Sequence, residues 1–120
     1  MSSESYHEPQ ESLDEATKDT HRAIRSLMEE LEAIDWYQQR VAATADEELK
    51  QILAHNRDEE KEHAAMVLEW LRRRDAHLDT RLRDYLFTDG DVTEIEHDEA
   101  PPVASGDGSL GIGSLRNKGE

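Results

Sequence analysis

The sequence predicts an all-α fold, an antiparallel two-helix hairpin followed by a short third helix. Two long stretches, 13–41 and 47–74, contain neither proline nor glycine. Within each, apolar residues recur at steps of three and four, the period of a helix face. Between them, 42–46 has no apolar periodicity and is short enough to turn the chain back on itself.

The elements follow in order. Residues 1–10 are polar, end near Pro9, and read as a flexible arm. Ser12 with Glu15 three residues on has the pattern of a capping box, so helix one is expected from Leu13 to about Val41. Its apolar set includes Ile24, Leu27, Met28, Leu31 and Ile34. Asp46 is an N-cap candidate for helix two, with Glu47 and Glu48 in the first turn where carboxylates suit the helix dipole. Helix two should run to Arg74, where Arg72, Arg73 and Arg74 suit its carbonyl end. A third, shorter helix is expected over 75–86, closing a helical domain at 11–90. Residues 91–108 are acidic and contain Pro101 and Pro102, which predicts a disordered linker. The tail 109–120 is glycine-rich, yet it carries Leu110, Ile112 and Leu115 at regular spacing. A simple linker has no use for them.

Composition narrows the function. Hydrophobic residues are 35% and charged residues 36% of 120. So little apolar surface makes a lone monomer marginal and favours burial against a partner chain. A formal net charge of −15 argues against nucleic acid as a partner. It suits a protein that gathers cations, though solubility alone also accounts for it. The absence of cysteine excludes disulfides, zinc–thiolate sites and iron–sulfur clusters, and fits a cytoplasmic location. No run approaches the ~20 apolar residues of a membrane span. The N-terminus lacks the basic and apolar regions of a signal peptide.

Three polar residues stand on the apolar rows. Leu27, Glu30, Ile34, Tyr37 and Val41 share one face of helix one. Leu49, Leu53, Asn56, Glu60, His63, Val67 and Trp70 share one face of helix two. A carboxylate on a buried row must be paired, protonated or metal-bound. With the turn near Ala45, Glu30 and Glu60 each lie 15 residues from it. At ~1.5 Å per residue both stand ~22 Å from the turn, opposite one another. His63 lies one turn beyond Glu60. The Glu-x-x-His motif is weak alone, since Glu4/His7 and Glu94/His97 repeat it outside the hairpin. The matched height of Glu30 is what turns it towards metal.

Glu and His donors without Cys favour iron, manganese or zinc. A ferritin-like di-iron centre takes one Glu from each of two helices and a Glu-x-x-His from each of two others. This chain carries one of each, half a centre. Two copies related by a two-fold axis would complete it and form a four-helix bundle.

Here the sequence resembles a known family. The runs MEELEAIDWY at 28–37, HNRDEEKEHAAM at 55–66 and LEWLRR at 68–73 are similar to those of the encapsulated ferritins, with likeness across most of 8–92. The resemblance implies a ferroxidase that binds two iron ions per dimer through Glu30, Glu60 and His63, with Glu60 bridging the metals. It implies that Tyr37, which is assigned a catalytic role, and Trp36 lie close to the centre. Packing in a dimer core is the preferred role for Trp36. Glu29 and Glu32 match the family's metal-uptake acids, and His55, Glu59 and Glu62 match residues near its secondary metal sites; a solvated helix face accounts for these equally well. It further implies a ring of five dimers. The tail LGIGSLR at 110–116 resembles the peptide that loads cargo into an encapsulin shell, with Leu110, Ile112 and Leu115 as its docking residues. The last four residues follow that peptide, which makes it subterminal. The implied location is inside an encapsulin nanocompartment, where oxidised iron would mineralise. Two other readings remain open: a non-catalytic encapsulated metal-binding protein, and a structural helical adaptor.

Overall fold

A computed structural model describes residues 6–98, and every regular element among them is helical. A single 3-10 turn, Gln10–Ser12, precedes α1, Glu15–Ala43. Then come α2, Glu47–Arg74, α3, Ala76–Tyr85, and α4, Val92–Asp98. The helical hairpin and the short third helix are therefore present as expected.

The start of α1 differs from the capping-box expectation. Pro9 begins the 3-10 turn, whose carbonyl accepts the Ser12 amide at 2.9 Å, so Ser12 is used before the helix starts. Asp14 caps instead. Its backbone is extended, and its carboxylate accepts the Thr17 amide at 2.7 Å. Asp46 caps α2 as anticipated, accepting the Leu49 amide at 2.8 Å. Asp75 does the same for α3 through Leu78 at 2.9 Å.

The chain divides into two compact units, one through Leu82 and one from Arg83. The first holds the hairpin. The connection 44–46 forces α1 and α2 to pack as antiparallel neighbours, and their lengths, 29 and 28 residues, match. Only Ala64 and Leu71 are buried among the described residues. The anticipated faces point inward over most of their length: Leu27, Glu30, Ile34, Tyr37 and Val41 are half-buried, as are Leu53, Asn56, Glu60, His63, Val67 and Trp70, whereas Leu49, beside the turn, is exposed. A second apolar set lies in the open, with Leu31 53%, Ile52 51% and Met66 59% exposed.

In the second unit, the residues expected to open a disordered linker form α4 instead. Asp91 explains the difference: its carboxylate accepts the Thr93 amide at 2.9 Å and the Thr93 hydroxyl at 2.6 Å, and caps the helix. Phe87 adopts φ 62° in the turn before it. The remainder of the expected linker and the whole tail, including Leu110, Ile112 and Leu115, lie outside the described residues. Among the described residues no helix is long and apolar enough to cross a membrane.

Candidate metal centre

Glu30 comes from the middle of α1, Glu60 and His63 from the middle of α2, and the three meet. Nδ1 of His63 stands 3.4 Å from Glu60 Oε1 and 3.7 Å from Glu30 Oε1. One donor atom from each lies within 4.8 Å of the other two. Donors at about 2.0–2.2 Å from one ion are at most about 4.4 Å apart, and both His63 distances fall within that span. Among the described residues, this is the one group of three or more such side chains that converges.

Side-chain direction explains why the set closes. Each Cα–Cβ bond tilts towards its own helix N-terminus. On α1 that carries Glu30 away from the turn; on α2 it carries Glu60 and His63 towards it. His63 is thereby brought down to Glu30, although it starts one helical turn higher.

The two carboxylates perturb each other. Glu60 hydrogen-bonds Glu30 and holds its pKa above the ordinary glutamate value, with partial burial and the like charge of Glu60 adding to the effect. Glu60 moves the opposite way because it accepts that bond, and His63 lowers it further. Two carboxylates facing each other disfavour the doubly charged pair. A cation placed between them would relieve the repulsion directly. The donor set, two carboxylates and one imidazole with no sulfur, fits iron, manganese or zinc. With side chains 25%, 24% and 42% exposed, Glu30, Glu60 and His63 are open to an arriving ion.

The remaining sequence candidates do not join this cluster. Tyr37 is half-buried on the same row, and the Arg40 guanidinium carbon lies 5.4 Å from its ring centroid. Trp36 is 49% exposed. Glu29 is exposed, with its carboxylate 3.6 Å from Arg25 Nε. Glu32, His55, Glu59 and Glu62 are all on exposed surface. Sequence reasoning passed over Gln38 and Arg57, which join α1 to α2 through a 2.7 Å hydrogen bond. Their only signal was placement on either side of the turn with side chains tilted towards each other.

The comparisons with known proteins agree with one another. The EncFtn-like family model matches residues 5–89. An "Encapsulated ferritin-like protein" of Rhodospirillum rubrum is 60% identical over 98% of this chain and 92% of its own length. A "Ferritin-like protein" of Thermotoga maritima is 53% identical over 92% of this chain and 96% of its own. The "Encapsulin nanocompartment cargo protein EncC" of Myxococcus xanthus is 37% identical over 79% and 83%. The crystal structure of protein ne0167 from Nitrosomonas europaea, 63% identical, superposes with a TM-score of 0.71 over 72% of this chain and 96% of that one. With its helical hairpin and its Glu30–Glu60–His63 cluster, the chain belongs to the EncFtn-like family of encapsulated ferritin-like proteins.

Proposed function

We propose that this protein is a ferroxidase whose centre is shared between two copies of the chain and whose product mineralises inside an encapsulin nanocompartment. The convergence of Glu30, Glu60 and His63 carries this reading. One chain supplies three donors, too few to enclose two ions. A two-fold partner doubles them to four carboxylates and two imidazoles, the ferritin-like complement. The exposed apolar set around Leu31, Ile52 and Met66 is the surface such a partner would cover.

Fe(II) is the substrate. Each ion gives up one electron, and the pair reduces one dioxygen to hydrogen peroxide, or one hydrogen peroxide to two waters, with uptake of two protons. The carboxylates favour the more highly charged Fe(III), Glu60 bridges, and His63 fixes the geometry. Tyr37 lines the row beside the centre. The net charge of −15 concentrates Fe(II) around the chain. Family relatives named as encapsulated or as encapsulin cargo support a compartment location. In this reading Leu110, Ile112 and Leu115 dock to the shell and dimers assemble as a ring of five.

Glu60→Ala tests the assignment. It removes the bridging carboxylate from both halves of the centre, and oxygen-dependent Fe(II) oxidation should fall at least about a hundredfold. Unchanged oxidation would overturn the reading.

A further inference from the structure

We propose that Gln38 and Arg57 are positioning residues: their hydrogen bond sets the register of α1 against α2 and so the distance from Glu30 to Glu60 and His63. This rests on the metal-centre reading above. The Arg57 guanidinium donates to Gln38 Oε1 at 2.7 Å across 19 residues of sequence. It is itself held by Asp58, at 3.0 Å and 3.3 Å, and Asp58 is 3.2 Å from Lys61 Nζ. The guanidinium is therefore aimed rather than free to swing.

Among the described residues, no fully buried apolar side chain of the single chain lies on the turn side of the cluster. Ala64 and Leu71 are the buried apolar residues, and both lie on the far side of His63 from the turn. Gln38–Arg57 lies on the turn side, so the ligands are bracketed by packing at one end and a directional bond at the other. Binding constellations tolerate displacements of only about 0.5 Å before affinity suffers. His63 Nδ1 stands 3.4 Å from Glu60 Oε1 and 3.7 Å from Glu30 Oε1, so a shift of that size would be felt by the whole set.

The test is anaerobic Co(II) titration of the full chain, followed by visible absorption, with thermal midpoints recorded alongside. Arg57→Ala and Gln38→Ala should each weaken Co(II) binding about fivefold and shift the absorption band, the double variant being no weaker than the weaker single. Gln38→Glu, which keeps an acceptor for Arg57, should restore both. Arg22→Ala removes a surface pair with Asp19 within α1 and should leave Co(II) binding unchanged. If the wild type binds Co(II) and the Arg57 and Gln38 variants bind it equally well, the positioning role is overturned. It is also overturned if the two losses add independently, or if Arg22→Ala weakens binding as much. If the wild type does not bind Co(II), the metal reading itself fails and the proposal falls with it.

Discussion

Glu30 and Glu60 approach from opposite helices, and their carboxylates perturb each other, Glu30 upward and Glu60 downward. His63 completes the set, while Glu62, its neighbour in sequence, is on exposed surface. The two positions therefore respond differently. His63→Ala should weaken metal binding at least about tenfold, whereas Glu62→Ala should change it little. Isothermal titration at low metal concentration compares them directly. The three-residue cluster was legible from sequence because two carboxylates and an imidazole interrupt apolar rows at matched heights. The outer acids were not separable by the same logic. Glu29, Glu32, Glu59 and Glu62 occupy ordinary solvated positions, where acidity alone says nothing of a ligand.

Helix boundaries followed from local chemistry wherever a cap had no competitor. Asp46 began α2 as anticipated, accepting the Leu49 amide while its own amide donates to Thr44 Oγ1 at 3.2 Å. At α1, Pro9 drew Ser12 into a 3-10 turn, and Asp14 became the cap. At 92–98, acidic composition suggested disorder, yet the Asp91 cap starts a helix there and places Glu94 in its first turn, where the dipole favours it. The end of α2 is held by charge. Glu69 accepts from Arg72 and Arg73 at 2.7 Å, and Arg72 also binds Asp79 of α3. Arg72 first and Arg73 second depress the Glu69 pKa from 4.5 to about 2. Its folded-state pKa lies below the unfolded one, so its contribution is complete above about 4.5 and disappears as pH falls towards about 2. The thermal midpoint of the wild type should exceed that of Glu69→Gln at neutral pH, and the gap should close across that acid range. These groups are exposed, so added salt should shrink the gap as well. A gap independent of pH would contradict the assignment.

At the scale of the whole molecule, a hairpin with two buried apolar residues leaves much of its apolar surface uncovered. Leu31 is 53% exposed in the single chain, where a polar substitution should alter stability by only about 0.5 kcal/mol. In a shared centre the same side chain is covered. Leu31→Glu should therefore yield a helical monomer by sedimentation velocity and, with the centre split in half, no oxygen-dependent turnover. Scarce apolar residues and a half-complete ligand set pointed to this arrangement in the sequence. Ring size has no such signature, because it depends on angles between dimers rather than on any face of one chain. The most direct measurement is an anaerobic Fe(II) titration of the assembled protein, counting bound iron per chain before oxygen is admitted. A shared di-iron centre predicts saturation at one iron per chain, followed by rapid oxidation when oxygen enters. Saturation without oxidation, or no binding at all, would contradict it.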